Sequence, residues 1–119
     1  MKNIEINELA KQIYIKKFLE LIENNRFQVI PRDKNEMFIL KYDLNNSKIR
    51  NMLLCLEKDD IQYLAEDKEF LKYGNEPLIV FKKPYKLIDR YGNTKTCIVY
   101  IKIKNKENCL PIISFHLDE

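Results

Sequence analysis

The chain has 119 residues, 45% hydrophobic and 33% charged, with seven Tyr, six Phe and no Trp, which is enough for one core, too little for two ordinary domains, and unlike a disordered chain. Two glycines and four prolines exclude glycine-rich cofactor loops and linker-dominated architectures. The net charge of +3 is unevenly spread: residues 1–76 carry thirteen Lys/Arg against fourteen Asp/Glu, and residues 77–119 eight against four.

From Asn7 to Asn24 the apolar residues Leu9, Ala10, Ile13, Phe18, Leu21 and Ile22 recur at roughly helical spacing, with Asn7 as N-cap and Asn24-Asn25 as stop. Arg26 to Ile30 alternates like a strand before Pro31, whose missing amide hydrogen suits an edge. Lys34 to Tyr42 reads as a helical turn or two ending near Asp43-Leu44-Asn45-Asn46. Ser47 opens a helix carrying Ile49, Met52, Leu53 and Leu56. Lys58-Asp59-Asp60 is expected to start a further helical segment with Ile61, Leu64 and Phe70-Leu71. After Gly74-Asn75-Glu76-Pro77 the pattern turns to strands over Leu78–Lys82, Tyr85–Arg90, Thr96–Lys104 and Leu110–Leu117. They are joined by turns at Tyr91-Gly92-Asn93-Thr94 and Asn105 to Cys109. The expectation is a single α+β domain over 1–119: a helical half to about 76, then a basic antiparallel β-meander over 77–119, packed against the N-terminal and central helices.

The opening Met1-Lys2-Asn3-Ile4-Glu5 does not lead into an apolar run, and runs such as Leu78 to Phe81 fall far short of the ~20 residues of a membrane helix. A cytoplasmic protein with no membrane partner is expected. Cys55, Cys97 and Cys109 are odd in number and widely spaced, and His116 is the sole histidine, so reduced thiols and neither metal nor other cofactor are expected. The pairs Asp59-Asp60, Glu57 and Glu66 read most simply as acids at a positive helix start.

Between Lys82 and Lys106 eight bases face one acid, Asp89, with Tyr85, Tyr91 and Tyr100 interleaved. Cations hold phosphates and aromatic faces stack on unpaired bases, so Lys82, Lys83, Lys86, Arg90 and Lys104 are candidate RNA contacts; a solvated strand face would have the same composition. Alternation puts Tyr100, Lys102 and Lys104 on one face and Val99, Ile101 and Ile103 on the other. The same rule groups Ile113, Phe115 and Leu117 and leaves Ile112, Ser114 and His116 opposite. A three-residue turn of Glu107, Asn108 and Cys109 would place Lys104 opposite Ile112, Lys102 opposite Ser114 and Tyr100 opposite His116, with Cβ atoms ~5 Å apart. Such a cluster suits cleavage of RNA by its own 2′-OH: His116 as acid or base, Tyr100 donating a proton or orienting phosphate, Lys102 with Lys82 or Lys83 holding negative charge.

The order Arg26-Phe27-Gln28-Val29-Ile30-Pro31-Arg32, Leu54-Cys55-Leu56-Glu57-Lys58-Asp59-Asp60, Val99-Tyr100-Ile101-Lys102-Ile103 and Ile113-Ser114-Phe115-His116 resembles the MqsR-like toxin family, itself similar to RelE-like proteins. The resemblance implies a RelE-like antiparallel sheet packed on helices, mRNA cleavage by a toxin of a type II toxin-antitoxin system, and inhibition by a cognate antitoxin. It assigns an active-site role to Tyr100 and Lys102. His116 stands where one form of the family pattern has lysine, exchanging a fixed charge for a group that can move protons near neutrality. Two function classes follow: a metal-independent endoribonuclease using Tyr100, Lys102 and His116, or a non-catalytic module gripping nucleic acid or an acidic protein with the same face.

Overall fold

A computed structural model describes residues 2–66 and 76–118. The elements run β1 (Lys2–Ile4), α1 (Glu8–Glu23), β2 (Phe27–Val29), α2 (Asp33–Lys41), α3 (Asn46–Leu54), a 3-10 turn (Lys58–Asp60), β3 (Ile61–Glu66), β4 (Leu78–Ile88), β5 (Thr94–Lys104) and β6 (Leu110–Leu117). They form a mixed α+β fold with one six-stranded sheet in the order β1-β3-β4-β5-β6-β2. All pairs are antiparallel except β2 with β6.

Short polar residues set the helix ends. Asn7 and Asn45 cap α1 and α3 by accepting from Ala10 N and Lys48 N, each at 2.8 Å. Both α1 and α2 end in Schellman turns built without glycine: Asn25 (φ 59°) and Asp43 (φ 50°) take the left-handed position, and Arg26 N and Leu44 N reach back to Leu21 O and Ile39 O. On α1 the buried face is Phe18 and Ile22, flanked by Ala10, Tyr14 and Leu21; Leu9 and Ile13, expected on that stripe, are exposed.

Two expectations change in the middle of the chain. Lys58–Asp60 forms one 3-10 turn, closed by Glu57 N on Asp60 Oδ2 at 2.8 Å, and the chain then becomes strand β3, not helix. β3 satisfies the outer edge of β4 over Leu78–Phe81, and its bulge between Ile61 and Tyr63 sends Ile61 and Leu64 to one face, Tyr63 and Ala65 to the other. Phe70-Leu71 lie outside the described residues. Likewise Leu78–Lys82 and Tyr85–Arg90 are not two strands but parts of one, β4, running through Pro84. β3 stops pairing at Phe81, so among the described residues no strand pairs with that edge of β4 at Pro84, where a missing N–H costs nothing.

The sheet buries apolar side chains on both faces. The face under the helices holds Ile79, Phe81, Val99, Ile101, Ile103, Ile112 and Phe115 against Phe18, Phe38, Met52 and Leu53. The other holds Leu78, Val80, Ala65, Ile30 and Ile113, flanked by Tyr63 and Tyr100.

The junction of α2, β2 and β6 sets the register. Pro31 ends β2, whose last ladder bond is Ile30 N to Ile112 O at 3.0 Å. Beyond it, the fully buried Asn35 of α2 takes over. Its Oδ1 accepts from Phe115 N at 2.8 Å, and its Nδ2 donates to Ile113 O and Ile30 O at 3.0 and 2.9 Å. A carboxamide thus does for the β6 edge what the next peptide of β2 would have done. Arg32 Nη1 adds bonds to Ile113 O and Ser114 Oγ, each at 3.1 Å. The bonded carbonyl belongs to a bulge: Lys102 pairs with Ser114, but Ile103 pairs with Ile112, leaving Ile113 unmatched. The grouping of Ile113 with Phe115 and Leu117 is therefore corrected. The extra residue turns Ile113 to the opposite face, brings Ile112 into the helical core, and cancels the expected Lys104–Ile112 pair.

Asn35→Ala strands the buried Phe115 N–H at about 1–3 kcal/mol and removes one of two hydrogen bonds from Ile113 O and from Ile30 O, which both keep a bond from Arg32, at about 0.5–1.5 kcal/mol each. It should lower the urea midpoint by the equivalent of about 2–5 kcal/mol without changing the slope, whereas Asn108→Ala on the exposed turn stays within about 0.5 kcal/mol. Two buried phenols give a second check. The Tyr42 hydroxyl meets Cys97 Sγ at 3.3 Å, and this contact and burial push its pKa up to about 12; burial raises that of Tyr85, which donates to Met52 O, further still. The neutral phenols are the favoured folded form, so their stabilisation holds below the ordinary value of ~10 and is lost as pH rises through the folded values. Alkaline titration at 295 nm should show these two lagging the other tyrosines until the protein unfolds; single-step titration of all seven would contradict the packing.

Candidate functional site

Across the centre of the face turned away from the helices runs one row of directly paired residues, Lys82 on β4, Tyr100 on β5 and His116 on β6. The Tyr100 and His116 rings stack, with centroids 5.5 Å apart and planes 23° from parallel. Lys102, one row inward opposite Ser114, holds Nζ 5.8 Å from the centre of the Tyr100 ring. His116 Nδ1 lies 2.8 Å from Leu117 O. A carbonyl only accepts, so Nδ1 carries the hydrogen and the neutral ring's lone pair is on Nε2, the tautomer of a general base.

The remaining sequence-predicted residues separate. Lys83 is on the helical face, 3.0 Å from Asp60 Oδ2, because neighbours along a strand point to opposite sides. Lys104 is 1% exposed and Lys102 8%, so this end of β5 is not an open basic surface. Lys82 stays half exposed but pairs with Asp118 Oδ2 at 3.4 Å. Lys86 shares the Tyr100 face two rows further out, exposed beside Thr96. Arg90 lies in the β4–β5 turn, where its N–H donates to Lys41 O at 3.1 Å and holds the turn against the end of α2.

Beside that hydrogen bond lies a groove of about 610 Å³ that the sequence did not announce. One wall is α2, with Lys34, Met37, Leu40 and Lys41. The other is the turn, with Arg90 and Tyr91, and His116 and Leu117 of β6 also line it, so the groove adjoins the strand that carries the tyrosine stack. The sequence signal was the run Met37-Phe38-Ile39-Leu40, four apolar residues where a one-sided helix needs fewer. Phe38 goes to the core against Phe115, and Met37 and Leu40 are left at 69% and 64% exposure.

Among the described residues no three His, Cys, Asp or Glu side chains gather as metal ligands would, and no helix is long and apolar enough to cross a membrane. No protein-family model, curated protein or solved structure matches the chain.

The turn is held by Asp89, whose Oδ1 accepts from Tyr91 N and Asn93 N at 2.9 Å each, with Gly92 at φ 88° between them. The Asn93 N–H, seconded by that of Tyr91 and by the Lys41 charge, holds the Asp89 carboxyl below its ordinary pKa. A depressed carboxyl stabilises above its unfolded value and stops doing so as pH falls through the folded one. Protection of the Tyr91 and Asn93 amides in hydrogen-exchange NMR should therefore persist at pH 5 and drop toward pH 2–3. In Asp89→Asn that drop should disappear; an unchanged pH profile in the variant would refute the assignment.

Proposed function

We propose that this chain is a metal-independent endoribonuclease, the toxin of a type II toxin-antitoxin pair, acting on mRNA in the cytoplasm and restrained by a cognate antitoxin. The observation that carries the reading is the stacked Tyr100–His116 pair, with Lys82 beside Tyr100 in the same row and Lys102 in the next, on one face of the sheet. Support also comes from the two motifs that resemble the MqsR-like family, which fall on the adjacent strands β5 and β6. On this reading the sheet with its helices is a RelE-like scaffold.

In the proposed reaction the ribose 2′-OH gives its proton to His116 Nε2 as O2′ bonds to phosphorus. The P–O5′ bond breaks, and the Tyr100 hydroxyl protonates the departing O5′, leaving a 2′,3′-cyclic phosphate and a 5′-hydroxyl. Lys82 is placed to touch the phosphate by exchanging Asp118 for it. Lys102, buried beside the Tyr100 ring, contributes positive potential from within the sheet, where a low dielectric makes a fixed charge count for more. The requirement for a 2′-OH makes RNA the substrate and DNA inert.

A second reading keeps the face and drops the chemistry: a module that binds nucleic acid or an acidic protein. Its support is the burial of Lys102 and Lys104, which leaves fewer cations at the surface than a phosphate-clasping enzyme would use. Purified protein incubated with defined RNA in EDTA should yield fragments ending in 2′,3′-cyclic phosphate and leave the DNA counterpart whole. His116→Ala and Tyr100→Phe should lower kcat by about 10²–10⁴-fold with little change in KM. RNA bound in a salt-sensitive manner but left intact would establish the second reading instead.

A further inference from the structure

The groove between α2 and the β4–β5 turn has a composition that folding does not require. Met37, Leu40 and Tyr91 are 69%, 64% and 77% exposed around one depression, and among the described residues the charged ones lining it are Lys34, Lys41 and Arg90, all cationic. Of the carboxylates beside the lining segments, Asp89 is turned into its own loop by two backbone N–H groups and Asp118 pairs with Lys82. Arg90 lies over the Tyr91 ring at 5.3 Å and donates to its hydroxyl at 3.3 Å, so one aromatic face is held by a cation at the groove wall.

We infer that this groove is the subsite for the single-stranded nucleotide adjoining the scissile phosphate. Its base stacks on Tyr91 and lies against Met37 and Leu40, and its phosphates are held by Lys34, Lys41 and Arg90. The inference rests on the endoribonuclease reading and adds to it how the substrate is held and why it must be unpaired: a base can enter only when splayed from a helix. The volume of about 610 Å³ suits a nucleotide, since small-molecule sites span ~300–1,000 Å³. An acidic amphipathic peptide would satisfy the apolar wall and the cations equally well. RNA is favoured because His116 is among the residues lining the groove, so that an occupant lies next to the residue proposed to accept the proton.

The test uses the full chain and a short oligoribonucleotide made uncleavable by 2′-O-methylation, with 2-aminopurine reporting stacking and 4-thiouridine allowing photocrosslinking. Expected are quenching on binding and crosslinks to α2 or the β4–β5 turn. Tyr91→Ala and Met37→Asp should weaken affinity about fivefold or more, as removal of one stacked base implies. Replacing Lys34, Lys41 and Arg90 with Gln should flatten the salt dependence of binding by about 0.7 for each phosphate no longer neutralised. With cleavable RNA the same variants should raise KM while sparing kcat. Since these side chains are exposed, unchanged thermal unfolding will certify the fold. Cleavage and binding untouched by the groove variants would overturn the subsite and leave the ribonuclease reading standing. Groove-dependent binding without cleavage would keep the groove as a single-stranded RNA site but overturn the ribonuclease reading and, with it, the placement beside a scissile phosphate. Crosslinks confined to the outer β4–β5 hairpin around Lys86, or competition by an acidic peptide with no RNA binding, would overturn the subsite.

Discussion

The arrangement depends most on one buried amide. A strand edge cannot be left dry and unbonded, and Pro31 denies β2 the length to cover β6 beyond Ile112. Asn35 supplies the missing donor and acceptor from a helix, which fixes α2 to the sheet edge at a single registration. That position puts Phe38 against Phe115 in the core and leaves Met37 and Leu40 facing the β4–β5 turn across open space. The groove is thus a by-product of finishing a sheet edge with a side chain instead of a strand.

The bulge at Ile113 belongs to the same device. Leu110 and Ile112 face the helical core, and so do Phe115 and Leu117, but the two pairs are out of phase by one residue. Without an extra residue, one of the pairs would have to leave the core, at about 1.5–3 kcal/mol for each large side chain. The bulge absorbs the slip, and its carbonyl is bonded by Asn35 and Arg32. His116 faces Tyr100 because this correction occurs before Ser114 and not after it.

Much of this was legible in the chain. Asn7, Asn25 and Asp43 mark helix ends through their own hydrogen-bonding and tolerance of positive φ, local properties that tertiary context seldom overrides. The alternation along Thr96–Lys104, with a three-residue turn after it, predicted the Tyr100–His116 and Lys102–Ser114 pairs, but that turn is corrected: next to it Ile103 lies opposite Ile112, one residue out of the expected register, and the bulge at Ile113 restores it. The slip is visible too, as consecutive Ile112 and Ile113 between two alternating runs, but a strict period of two reads through it. Ile61–Glu66 was not legible as a strand, since nothing local tells an unpaired edge of β4 that it will be covered. Nor was the groove, whose walls come from segments far apart in the chain.

Charge along the chain proved a poor guide to charge in space. Lys82 and Lys83 are adjacent and end on opposite faces, one beside Asp118 and one beside Asp60, while Lys102 and Lys104 are drawn into the interior. The basic stretch is therefore divided between the two faces and the interior, with Lys86, Arg90 and Lys95 exposed. The cations that converge on an accessible hollow are Lys34 and Lys41, from the nearly neutral half of the sequence, joined by Arg90 from the basic half. For an anionic ligand the consequence is directional. Charge on a single strand would attract a backbone along that strand, whereas cations on facing walls draw the chain between them, into a groove that His116 also lines.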